Sequence, residues 1–311
     1  MKHLTPMIAL SALLLTACGA QETPPTEKTV EVEKAAEAFT EASPLQAAIE
    51  GEHRTEAEKA RDQYRHPKET IEFFDIEPSD KVVELWPGGG WYTNVLAPYL
   101  ASGDGVLVAA GFDPEGGDEE RRARIESRLA EFQAEHSDAI YGDIEYSAFS
   151  GTTGPLTEPG TADVVLTFRN LHNWMSGGYA EKFFTDAYAA LKPGGVLGVV
   201  EHRLPSTETQ DPTASSGYVH EDYVKSLAEA AGFEFVGASE INANPADTAD
   251  HPFGVWTLPP NSRTTDRDGN TPDGFDPETY ANIGESDRMT LKFVKPVQDA
   301  APAEDASATE E

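Results

Sequence analysis

The sequence predicts a three-layer, doubly wound α/β domain with a mostly parallel, seven-stranded sheet and an N-terminal helical extension. Short apolar runs that read as buried strands alternate with longer segments of helical period. The first run, Val82-Val83-Glu84-Leu85-Trp86, ends in the turn Pro87-Gly88-Gly89-Gly90 and leads into a helix, so backbone N–H groups can approach a nucleotide-like ligand. Several later runs are followed at once by polar residues, at the carboxyl edge where open α/β sheets bind ligands.

Ahead of this domain, Lys2 and His3 precede the apolar run Met7 to Leu15. The run is short of the roughly 20 residues that span a bilayer but suits the apolar region of an export signal. The lone cysteine, in Leu15-Thr16-Ala17-Cys18-Gly19, resembles the lipobox of bacterial lipoproteins. That resemblance makes Cys18 the lipidated first residue of the mature chain. It implies an exported protein lipid-anchored in the periplasm, and Gly19 rather than Asp favours the outer membrane. The plainer reading is a secreted protein whose cysteine happens to lie near the cleavage site. The expected organisation is a signal at 1–17, a Glu/Thr/Pro/Ala-rich tether at 18–43, the folded domain at 44–296 and an acidic tail at 297–311. With no second cysteine, no intrachain disulfide can stabilise the domain.

Residues 54 to 66 read as a charged helix that ends or kinks at Pro67, with a short apolar continuation over Thr70–Phe74. After the glycine turn, Asn94–Leu100 is a helix interrupted at Pro98, and Val106–Ala110 is the second strand. Ile125, Leu129 and Phe132 mark one face of the next helix. Ala139-Ile140-Tyr141 reads as a short third strand ending in Gly142-Asp143, and Asp163–Phe168 as the fourth. Gly178–Leu191 is helical, Lys192-Pro193-Gly194-Gly195 turns the chain, and Val196–Val200 is the fifth strand. The helix His220–Ala231 stops at Gly232, followed by the strands Phe233–Val236 and Arg288–Val294.

A net charge of −32, from 55 acidic against 23 basic residues, argues against a nucleic-acid partner. Histidines and carboxylates show no compact ligand spacing, so no metal is expected. Position 93 is Thr93, which breaks the Gly-x-Gly-x-x-Gly dinucleotide pattern, and Gly-x-Ser-x-Gly is absent.

These elements resemble a class I S-adenosylmethionine-dependent methyltransferase. Glu84-Leu85-Trp86-Pro87-Gly88-Gly89-Gly90 is similar to its first motif, Asp163-Val164-Val165 to its fourth-strand motif and Leu191–Gly195 to the turn before its fifth strand. Closer still is a bacterial family of exported predicted methyltransferases of unknown substrate, similar from about Arg61 to Pro296. The shared runs include Asp62–Pro67, Trp86–Thr93, Arg169–Trp174, Glu201–Arg203, Gly217–Val219, Asn242–Pro245 and Gly284–Arg288. The resemblance implies an S-adenosyl-L-methionine cofactor and a small-molecule substrate. It assigns cofactor contacts to Glu84, Gly88, Gly90, Asp143 (beside the adenine) and Asn170. The ribose acid usual after the second strand is replaced by Gly111, with Asp113 the nearest carboxylate; either Asp113 reaches back or ribose recognition is lost.

Each candidate also has a structural reading. Glu84 can brace the loop, Gly88 and Gly90 can be turn glycines, and Asp143 can cap the next segment. His172 and Asn170 are the catalytic candidates, His172 as a general base, against a histidine that merely bonds loop backbone. Trp174, His202 and Arg203 at the strand ends, with Tyr64 and His66 in the N-terminal cap, are the substrate-binding candidates, against ordinary packing and ion pairing. A different class of function, an exported ligand-binding protein that keeps the fold without turnover, rests on the missing acid at Gly111. A nicotinamide-dependent oxidoreductase ranks third.

Overall fold

The computed structural model describes residues 42–297. Cys18, the signal 1–17, the tether up to residue 41 and the tail from residue 298 lie outside the described residues. The strands are β1 (Lys81–Leu85), β2 (Val106–Phe112), β3 (Ile144–Phe149), β4 (Ala162–Phe168), β5 (Leu191–His202), β6 (Glu234–Ser239), β7 (Pro252–Val255) and β8 (Arg288–Val294). All but β7 join one sheet in the order β3-β2-β1-β4-β5-β8-β6. β1 to β5 pair in parallel, and β8 is inserted antiparallel between β5 and β6.

Successive residues of the central strands feed two separate cores, which is why these runs are apolar throughout rather than alternating. Val83 and Leu85 join Val108, Val165 and Val199 on one face, under the helices α7 (Leu171–Gly177), α8 (Ala180–Ala190) and α9 (Glu221–Ala230). Val82, Leu107, Val164 and Leu166 face the other way, onto α1 (Pro44–Glu50), α4 (Pro67–Phe73) and α5 (Thr93–Ala101).

The N-terminal charged segment is not one helix. It divides into α2 (Glu56–Lys59) and α3 (Asp62–Arg65), and Pro67 opens α4 rather than closing a helix. His66 breaks the run at φ +39°, and proline at the first helical position loses no hydrogen bond. Pro98 sits inside α5. The Asn94 carbonyl, one turn back, would lack its helical donor and is met instead by His53 Nε2 at 2.8 Å.

The third strand was misplaced by the sequence reading. Ala139–Tyr141 is a single 3-10 turn, and the strand that pairs with β2 begins five residues later, at Ile144. Exposed Ile140 made the earlier run look like a strand, whereas the real one, at the sheet edge, buries only Phe149. Between β4 and β5 the register shifts, so Lys192–Gly195 bulges where a turn was expected, with Gly194 at φ +82°. The described residues are completed by α6 (Glu119–Glu135), which carries buried Ile125 and Phe132, and by α10 (Pro277–Ile283).

Candidate functional site

β1 lies at the point where the sheet's strand order reverses, with β2 on one side and β4 on the other. That is where doubly wound sheets open a crevice beyond their carboxyl ends. A cavity of about 450 Å³ sits there, lined from β1 by Glu84 and the loop Trp86–Gly89, from β4 by Phe168–Asn170 and from β5 by His202. Glu84 is 2% exposed. Its carboxylate accepts the Thr93 hydroxyl at 2.6 Å. Burial pushes its carboxyl up to about 7, against the opposing pull of the Thr93 hydrogen bond.

The three loop glycines divide their work. A side chain at Gly88 or Gly89 would meet nothing within 4 Å, so the loop's outer face is open to a ligand. A Cβ at Gly90 would lie 2.8 Å from the His136 ring and 3.2 Å from Phe132. A side chain at Gly90 would therefore run into the end of α6, so its lack of one lets the loop pack there, and Gly90 does not border the cavity. Asn170 donates its amide to the carbonyls of Leu85 (3.0 Å) and Trp86 (3.3 Å). That amide clamps the exit of β1, and Trp86 is held there at φ +48°. Asn170 is a positioning residue here rather than a proton carrier.

His172 lies on the first turn of α7, and its Nδ1 meets Glu201 Oε1 at 3.0 Å. The Glu201 side chain is fully buried and also accepts the backbone N–H of Leu171 (2.6 Å), His172 (3.4 Å) and His202 (2.8 Å). Since these contacts make the carboxylate an acceptor throughout, the imidazole proton sits on Nδ1. Nε2 makes no hydrogen bond and is not sealed from solvent. His172 borders the cavity. A carboxylate that fixes the tautomer of an imidazole whose other nitrogen is free is the arrangement of a general base. His202 Nδ1 is taken by Ser286 Oγ at 2.5 Å. Burial first, then the neighbouring His172 and arginines, keep its imidazole well below the usual histidine range, so it is neutral.

The ligand atoms of His172, Glu201 and His202 lie within 4.8 Å of one another. The sequence shows no such cluster because His172 lies 29 positions before the adjacent pair Glu201-His202. With the Glu201 oxygens already engaged by four N–H donors, the group fits a hydrogen-bonded positioning role rather than metal ligation.

Opposite the histidines, four arginines surround Glu285, which is 3% exposed: Arg61 at 2.7 Å, Arg65 at 3.1 Å, Arg169 at 3.4 Å and Arg288 at 3.2 Å. Burial would raise the Glu285 carboxyl, but the guanidiniums more than offset it and hold it down to about 2. Burial and, next, repulsion from Arg169 drive Arg65 down to about 8; burial and repulsion from Arg288 drive Arg169 down to about 10.

Several expected substrate contacts lie elsewhere. Trp174 is fully buried among Phe149, Phe183 and Trp86, because the segment after β4 turns at once into a helix whose apolar face meets the core. Arg203 turns away to Asp287 and Glu240, whose hydrogen bonds raise its guanidinium further. Tyr64 packs beside Gly284, and His66 is the backbone break before α4; neither borders the cavity.

A second, mainly apolar groove of about 780 Å³ shares Trp86–Gly89 with the cavity and runs over Ala109, Gly111, Phe112, Ile125 and Ser147. Ser147 Oγ is buried there without a partner. Asp113 does not reach this groove: its carboxylate accepts Ser150 Oγ and the Glu115 N–H, both at 2.9 Å. Phe112, 4.3 Å from the Trp86 ring, stands between. Asp143 precedes β3 instead of following a strand, so it is exposed at the amino edge of the sheet, away from the cavity. Neither acid borders the cavity or the groove as the chain is folded.

Sequence reading places Arg65 with Tyr64 and His66 in the N-terminal cap, and of the three only Arg65 lines the cavity; it missed Glu201 as the partner of His172, and it missed Arg61, Arg169 and Glu285. The signal was present: three of the runs that carry the family resemblance, 62–67, 169–174 and 284–288, hold most of these residues, and folding brings them to one place.

No protein-family model matches the chain, and no curated relative matches it. Solved structures similar to it include a SAM-dependent methyltransferase from Aquifex aeolicus, at 17% identity over 59% of this chain and 87% of that one, with a TM-score of 0.43. A TehB-like SAM-dependent methyltransferase from Corynebacterium glutamicum matches at 10% identity over 86% and 97%, with a TM-score of 0.42. The [4+2]-cyclase SpnF matches at 14% identity over 82% and 92%, with a TM-score of 0.44. By the order and direction of its own seven strands, the chain has a Rossmann-like, doubly wound α/β fold.

Proposed function

We propose that the protein is an S-adenosylmethionine-dependent methyltransferase acting on a small molecule. The observation that carries this reading is the buried Glu84 beneath an open Gly88-Gly89 loop at the sheet's switch point, on the same cavity as the free Nε2 of His172. The residues fit the cofactor's parts. Glu84 and the loop suit its amino-acid end, and the groove with unpartnered Ser147 suits its nucleoside. Trp86, Tyr92 and Phe168 line the same cavity, an aromatic lining that suits a sulfonium. When bound, the cofactor supplies an already activated methyl group. What remains to the chain is to orient the acceptor, exclude water and take up a proton, the last at His172 Nε2 with Glu201 holding the ring.

The absence of an acid at the end of β2, with Asp113 turned to Ser150, favours a second reading: a ligand-binding protein that kept the fold without turnover. Calorimetric titration with S-adenosylmethionine and S-adenosylhomocysteine, set beside NAD, separates the readings. Micromolar binding of the homocysteine product without NAD binding supports the first, and a His172→Ala protein that keeps this affinity within about threefold but loses about 10²-fold in turnover assigns the base. Absence of binding to either nucleotide favours the second. We also propose export and lipid attachment at Cys18, on the resemblance of Leu15–Gly19 to a lipobox. Intact-mass analysis of membrane-extracted protein tests it, and an unacylated start elsewhere overturns it.

A further inference from the structure

The geometry points to an anionic acceptor: the cavity beside His172 takes a substrate through a compact carboxylate or phosphate held by Arg61, Arg65 and Arg169. The acceptor role rests on the methyl-transfer reading, whereas the anion site itself does not.

Four guanidiniums meet a single carboxylate, Glu285, in a protein that otherwise carries a net charge of −32. The other acids nearby are already engaged. Glu58 is bonded to Thr55 and Asn94, Glu84 accepts the Thr93 hydroxyl, and Glu201 accepts four N–H donors. Arg65 and Arg288 are buried and Arg61 and Arg169 are only partly exposed; crowded cations so enclosed are unfavourable unless paired, so the cluster is incomplete as an internal ion network. Its unmet donors point to where the completion comes from. Arg61 Nη2 is buried without a hydrogen-bond partner, and Arg65 and Arg169 use one nitrogen each on Glu285. All three arginines line the cavity, whereas Arg288 stands behind them and is bound to the Ser286 carbonyl. The planar guanidinium fork matches an oxyanion, and Arg65 is fixed by stacking 4.7 Å from the Trp91 ring. Arg169 is held at φ +62°, a conformation disfavoured for a long side chain and one that clusters at ligand sites. Burial first, then repulsion from neighbouring guanidiniums (Arg169 on Arg65, Arg288 on Arg169), lowers both groups, and an arriving anion offsets the repulsion.

The test is titration of the purified protein with inorganic phosphate and with succinate at constant ionic strength, read by calorimetry and by thermal melting. The expected result is saturable binding and a raised melting temperature that chloride does not reproduce. Arg169→Gln, partly exposed and outside the core, should weaken binding at least tenfold, while the surface change Arg124→Gln leaves it unchanged. Glu285→Gln removes the competing carboxylate and should tighten binding severalfold. Saturating S-adenosylhomocysteine should leave anion binding in place. Absence of saturable binding, or equal affinity in wild type and Arg169→Gln, overturns the site. Competitive displacement by S-adenosylhomocysteine overturns the acceptor role, because the arginines then hold the cofactor's own carboxylate. Failure of the cofactor to bind at all leaves the phosphate result readable, so the two readings fail separately.

Discussion

Replacing Glu201 by Gln keeps the size of the side chain but puts an NH₂ where an oxygen now accepts. One Glu201 oxygen faces the N–H groups of Leu171 and His172, and the other faces His172 Nδ1 and the His202 N–H. Turned toward Leu171 and His172, the NH₂ faces two backbone donors; turned the other way it faces only the His202 N–H, because the His172 ring can change tautomer and accept at Nδ1. A buried donor left without an acceptor costs about 1–3 kcal/mol, so the expected loss of stability in the better orientation is about 1–3 kcal/mol. At roughly 2–4 °C per kcal/mol for a domain of this size, the melting temperature should fall by roughly 5 °C, and the changed tautomer should show in the imidazole ¹⁵N shifts. Urea unfolding of wild type, Glu201→Gln, His172→Ala and the double variant measures it. A coupling of at least about 1 kcal/mol is expected, since the two side chains share one hydrogen bond. A Glu201→Gln protein within about 1 kcal/mol of wild type, or additive losses, would refute the claim that Glu201 holds the imidazole.

Gly90→Ala should destabilise by roughly 2–4 kcal/mol, since its Cβ would meet His136 at 2.8 Å and φ is +77°. Gly88→Ala, facing open space, should lose about 1–2 kcal/mol through its backbone alone and instead weaken S-adenosylhomocysteine binding; equal melting losses would undo that division. Asp113→Asn should change cofactor affinity less than about twofold, whereas a tenfold loss by calorimetry would restore Asp113 to the ribose. Glu84 is raised in the folded state from an ordinary 4.5 to about 7, so the folded chain holds its proton longer than the unfolded one. Its contribution is present below pH 4.5 and fades as pH climbs to about 7, a loss of about 3 kcal/mol at ~1.4 kcal/mol per pH unit. Glu84→Gln should flatten stability across that window in urea titrations, and an unchanged pH slope counts against the assignment.

Much of the fold was legible because burial on both faces of a parallel sheet writes continuous apolar runs. Val82–Leu85, Val164–Phe168 and Val196–Val200 needed no tertiary information to be read as strands. Edge strand β3 was not legible, since Phe149 alone of its residues is buried and Ala139–Tyr141 is more apolar than Ile144–Phe149 near it. That slip moved Asp143 to the wrong end of the sheet.

For the site, the sequence alone determined what lies at or just beyond the end of a strand: Glu84, Gly88, Gly89, Asn170, His172 and His202 all border the cavity. It did not determine which way a side chain turns once the next element begins. Trp174 enters the core because α7 starts at Leu171, and Arg203 swings out to Asp287 across the β5–β8 pairing. Only tertiary structure joined His172 to Glu201, 29 residues on, and Arg65 to Glu285, 220 residues on. The physical reason lies in range: strand and helix patterns are written by neighbours along the chain, whereas a hydrogen bond or ion pair depends on atoms within about 3 Å, brought there by how the sheet orders its strands.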